Sequence, residues 1–149
     1  MSIDYIVSSL PPLVFGEKAP MTWEAFVAAA GEVKMPPRWA DLETQLRNAM
    51  ASARGGEEFI RPARGCDLYW QDRITQAFQE KDIMKREEFI DRVWWDAAGE
   101  LTPSASPLGA GALATYAIRL GIALKRSRID TGKGGKAFDR LAAETKITL

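Results

Sequence analysis

The chain has 149 residues, with 20 basic side chains against 20 acidic ones, no histidine and one cysteine. A chain this long buries roughly 68–70% of its unfolded surface and folds without a disulfide or metal. Lone Cys66 can close neither an intramolecular disulfide nor a multi-thiolate zinc site, and it reads as a small buried apolar residue. Without histidine there is no Ser-His or Cys-His nucleophile arrangement, and the carboxylates show no catalytic spacing, so the sequence reads as non-catalytic.

The first twenty residues are apolar but broken by Pro11-Pro12. Asp4 stands where an export signal needs basic charge, and no run approaches the ~18–20 apolar residues that cross a bilayer. The sequence therefore predicts a cytoplasmic protein with no direct membrane insertion. Tyr5, Ile6, Val7, Leu10, Leu13, Val14 and Phe15 are too apolar for a free arm, so residues 1–20 are expected to lie on the core as an extended strap. The prolines keep that strap out of helix, and Tyr5 to Ser8 is its only strand-like stretch.

Thr22 should cap a helix ending at Gly31, with Trp23, Phe26, Val27 and Ala30 on its apolar face. Pro36-Pro37 opens the next helix. There Trp39, Leu42, Leu46, Ala49, Met50 and Ala53 recur with the 3.6-residue period until Gly55-Gly56. Pro62 and Gly65 mark a loop, after which Asp67 caps a helix presenting Trp70, Ile74, Ala77 and Phe78. Asp82 caps another, with Ile83, Ile90, Trp94, Ala97 and Leu101 in line. Asp82–Arg86 and Glu88–Arg92 have the spacing of helical ion pairs.

A connector at 102–107 leads to a helix from about Leu108 to Arg128 that is apolar on nearly every side. Leu113, Tyr116, Ala117, Leu120 and Leu124 form one stripe, and Ile118 and Ile122 lie nearly opposite. Such a helix is central in its domain or covered by a partner. A last helix should turn Phe138, Leu141 and Ala142 inward. The fold class is all-α: about six mostly antiparallel helices in a single bundle-like domain spanning 1–149.

Two glycine-rich stretches invite a nucleotide reading. Gly109-x-Gly111-x-x-Ala114 fits a dinucleotide fingerprint in spacing, but residues 102–107 cannot form the buried strand that feeds such a turn. Thr131 to Lys136 lacks the glycine spacing and the following Ser or Thr of a Walker loop. No cofactor and no metal site is assigned.

Trp94 and Trp95 are adjacent, and one residue turns a helix by about 100°, so they cannot face the same core. Trp95 is either covered by a neighbouring loop or an anchor for a partner. Charge is also uneven: from Arg119 onward there are eight basic and three acidic residues, a net +5. A helix dipole accounts for Lys125, Arg126 and Arg128 at the end of their helix, but not for Lys133 and Lys136, which open the next one. Lys133, Lys136, Trp95, Ile118 and Ile122 are therefore the candidate partner contacts.

The order of these features, from "YIVSSLPPLVFGEKAPMTWEAF" through "LETQLRNAM" to the closing "LATYAIRLGIALKRSRIDTGKGGKAFDRL", resembles an uncharacterised bacterial family encoded beside the subunits of V-type ATPases. The resemblance covers the two ends of the chain; the family members are longer in the middle. The family is likened to the central-stalk subunit between rotor shaft and membrane ring, and it defines no catalytic residues. The resemblance implies a non-catalytic subunit or assembly factor, cytoplasmic and peripheral at the membrane through the ATPase. Two other readings compete: a small-ligand or nucleotide-binding helical protein, and a nucleic-acid-binding module using the basic C-terminal segment.

Overall fold

The computed structural model describes residues 2–56, 58 and 68–129. Among the described residues six helices follow one another: α1 (Ile3–Ser9), α2 (Trp23–Ala30), α3 (Pro37–Ala53), α4 (Leu68–Phe78), α5 (Ile83–Ala98) and α6 (Ala110–Ile129). A 3-10 turn at Gly99–Leu101 extends α5. Among the described residues there is no strand, and the helices pack on one another in a bundle-like, all-α arrangement. The expected last helix lies outside the described residues, as do Cys66, Asp67 and the Thr131–Lys136 turn.

Local chemistry sets the helix ends. The Thr22 hydroxyl accepts from the Ala25 N–H at 3.1 Å, and the Asp82 carboxylate accepts from the N–H groups of Met84 and Lys85, so both expected caps form. Pro37 occupies the first position of α3, where its missing N–H costs nothing. At the other end Gly55 takes a positive φ. Its N–H and that of Gly56 then reach back to the Ser52 and Ala51 carbonyls, the bond pair that closes a helix on a glycine.

Two apolar clusters share α6. The larger joins Trp39, Leu42 and Leu46 of α3 to Trp70 and Ile74 of α4 and Val93 of α5, with Ala114 of α6 at its edge. The smaller is centred on Phe26 of α2 and Leu113, Ala117 and Leu120 of α6. Its cover is the N-terminal segment: Ile6, Val7, Leu10 and Leu13 pack against it, while Tyr5 and Val14 face outward. The strap is present, but Tyr5 to Ser8 is helical rather than strand-like because Ser2 caps a short α1 before Leu10 and the prolines end it.

Several side chains depart from expectation. Trp23 and Val27 are each 44% exposed, since only Phe26 and the half-buried Ala30 of the expected α2 face turn toward α6. Ile83 is also exposed, being in the first turn of α5 before that helix reaches the core. Neither expected ion pair on α5 forms. Arg86 donates to the Glu80 carbonyl that precedes the helix, and Arg92 pairs with Asp96.

The glycine fingerprint also has a structural cause. A Cβ built on Gly111 would collide with the Leu101 carbonyl oxygen, so α6 can start against the 3-10 turn only with glycine there. Beside this contact the buried Thr115 hydroxyl donates to the Ala98 carbonyl at 2.8 Å and meets the Thr102 hydroxyl at 2.7 Å.

Candidate interaction groove

An open groove of ≈ 1300 Å³ runs between α3, α5 and α6. Lining residues recur at three- and four-residue steps on each helix, such as Ala40, Glu43, Arg47 and Ala51 of α3, continued by Arg54 just past its end; Glu87, Ile90 and Trp94 of α5; and Ile118, Ile122 and Lys125 of α6. Residues spaced this way share a helix face, so the groove runs along the helices rather than across them. The Trp39 and Trp94 rings meet edge to face at 5.9 Å on its floor, a favoured aromatic geometry. The Arg47 guanidinium lies 5.8 Å from the Trp94 ring while also pairing with Glu43 at 3.0 Å.

One wall is fixed by charge. Asp91 is buried, and its carboxylate accepts from Lys125 at 3.0 Å and from Arg126 at 3.4 Å. Arg126 reaches Glu88 as well, at 3.8 Å. A buried carboxylate needs such partners, and here they tie α5 to the end of α6. Periodicity on the Ile90–Trp94 stripe gives no sign of Asp91. The available signal is a second stripe, Asp91, Trp95 and Ala98, all of which are buried.

That stripe corrects the reading of Trp95 as a partner contact. Its side chain is 6% exposed. Phe15 of the strap covers it edge to face at 5.4 Å, and the Arg119 guanidinium lies 5.3 Å from its ring. Arg119 also donates to the Trp95 carbonyl at 3.0 Å; burial pushes this guanidinium below its ordinary value, with Asp96 pulling it back up. Phe15 is in turn held between Arg126 and Arg92, at 4.8 and 5.1 Å. The covering loop comes from the other end of the sequence, so α5's own pattern could not reveal it.

Ile118 and Ile122 are both half-buried and both line the groove, with Ile118 also packed on the larger cluster. Lys133 and Lys136 lie outside the described residues. The candidate contacts thus reduce to one structurally placed pair. Among the described residues no group of acidic or cysteine side chains could hold a metal ion, and no helix is long and apolar enough to cross a membrane. No family model, curated protein or solved structure matches the chain.

Proposed function

We propose that this chain is a non-catalytic protein that works by contact, as a subunit or assembly factor of a bacterial V-type ATPase, and that it receives a partner helix in the groove between α3, α5 and α6. The observation that carries the reading is the groove itself: an apolar floor of Trp39, Ile90, Trp94, Ile118 and Ile122 extended along helical stripes. Amphipathic helices dock in such grooves through anchors at three- and four-residue steps. The volume exceeds the ~300–1,000 Å³ of small-molecule sites, which favours a polypeptide over a nucleotide or other small ligand. Lys125 and Arg126 are engaged by Asp91, which leaves them poorly placed for phosphate and weakens the nucleic-acid reading. The choice of a V-type ATPase rests on the family resemblance of Tyr5–Phe26 and Leu113–Leu141.

The test is co-expression of the chain with the V-type ATPase subunits of its source, followed by identification of what co-purifies. One subunit should be retained, and Ile118→Ser/Ile122→Ser should release it while keeping the helical circular dichroism of the parent. Capture of no subunit, or undiminished capture by the folded double variant, would overturn the reading.

A further inference from the structure

The groove is sided by charge as well as floored by apolar side chains. Among the described residues six charged side chains line it, and two pairs are satisfied within the chain: Asp91 with Lys125 at 3.0 Å, and Glu43 with Arg47 at 3.0 Å. The other two are Arg54 on the α3 side and Glu87 on the α5 side. Both are exposed, and among the described residues no ion pair engages either.

The α3 rim carries the stronger signal. Arg47 and Arg54 are seven residues apart, two helical turns or about 10 Å along the rim. The Arg47 side chain is 69% exposed even while paired, and an exposed pair on one helix is weak enough to yield to a better partner. Each guanidinium also rests on a ring, Arg47 at 5.8 Å from Trp94 and Arg54 at 5.3 Å from Phe78. Stacking orders a guanidinium without using its N–H donors, and the fork of donors fits a carboxylate two bonds at a time.

We infer that the helix received in the groove is acidic along one flank: carboxylates two turns apart face Arg47 and Arg54, while the flank toward Glu87 is neutral or basic. This inference rests on the reading of the groove as a helix receptor. The apolar floor at Trp94, Ile118 and Ile122 offers anchorage to amphipathic helices in general. The arginine rim selects among them. It attracts an acidic flank and repels a basic one, so discrimination comes from the disfavoured partner as well as the favoured one.

The experiment uses the full chain and two synthetic peptides of about sixteen residues, ~24 Å as helices. Both carry leucine at three- and four-residue steps. Beside that stripe one bears glutamate and the other lysine at two positions seven apart, with glutamine elsewhere on the flanks. Fluorescence anisotropy of the labelled peptides should show the glutamate peptide binding about tenfold more tightly at low salt, a gap that narrows as salt rises. Arg47→Gln/Arg54→Gln should bring the two affinities together and Arg47→Glu/Arg54→Glu should invert them, both with the helical circular dichroism of the parent. Equal binding by the parent, or tighter binding of the lysine peptide, would overturn the inference while leaving the groove a helix receptor. A glutamate preference that survives Arg47→Gln/Arg54→Gln would overturn it as well, since the contact then lies elsewhere. So would binding of neither peptide, and the co-purification test then decides separately whether the groove takes a subunit. If the chain sediments as a dimer that Ile118→Ser/Ile122→Ser dissociates, the occupant is a second copy and the acid-flanked partner is excluded.

Discussion

The two apolar clusters are built from different material. The larger is made by three helices whose own sequences repeat apolar residues at helical spacing, so each arrives with a face to bury. The smaller depends on one face of α6 and on a segment whose only regular structure is the seven-residue α1 and the eight-residue α2. What it lacks in length it makes up with point attachments: the Tyr116 hydroxyl donates to the Pro11 carbonyl at 2.7 Å, and the Ser127 hydroxyl accepts from the Ala19 N–H at 3.1 Å. Helices shorter than ~12–15 residues are marginal alone, so the strap takes its order from α6 rather than lending order to it.

The sharpest break of this comparison is a cavity in each cluster. Leu46 is fully buried between α3 and its neighbours, whereas Leu13 is half-buried on the strap. Leu46→Ala should cost about 2–5 kcal/mol, and Leu13→Ala less, because partial exposure removes less apolar area and the strap can settle over the gap. Chemical denaturation of both variants checks the order. Equal losses would mean that the strap is as integral as the long helices.

The next effect concerns the join between the regions. Asp91→Asn removes the charge that holds Lys125 and Arg126, of which Arg126 also props Phe15 in the strap. Breaking a fully buried pair costs about 3–5 kcal/mol, but the Lys125 side chain is more than half exposed and Glu88 remains near Arg126, so about 2 kcal/mol is expected here. Denaturation of the parent and the variant gives the stability change. An unchanged midpoint would sever the proposed link between the α5–α6 charge pair and the strap.

The same division governs what the sequence revealed. Caps and stops at Thr22, Gly31, Gly55-Gly56 and Asp82 depend on neighbours within a few residues, and the stripes of α3 and α4 face the core their period predicts, except Ala53 at the end of α3, which is exposed. Nothing local says which helix covers α2, so the pattern places Trp23 and Val27 inward although both are exposed. Trp95 needed Phe15, eighty residues earlier, and Asp91 needed two cations from α6. Of the groove, sequence pattern gave Ile118 and Ile122 on the far side of α6 but not the α3 wall opposite them. Periodicity identifies a face; its covering is a long-range fact.

The smallest predicted change tests the strap's attachment by pH. Burial raises the Tyr116 phenol above its ordinary value of 10.0. The folded chain therefore holds that proton more tightly than the unfolded chain, in which the phenol titrates normally. Its contribution to stability is fully present below pH 10 and declines as pH rises through the higher folded value. Ionisation would also leave the hydroxyl without a proton to donate to Pro11. Tyr116→Phe should cost about 1 kcal/mol at neutral pH, the net worth of one hydrogen bond, because the Pro11 carbonyl lies where water can reach it in part. Above pH 10 the parent should lose stability faster than Tyr116→Phe, so their denaturation midpoints converge. Parallel curves across that range would mean that Tyr116 ionises as freely folded as unfolded, and that its hydroxyl adds nothing to the hold on the strap.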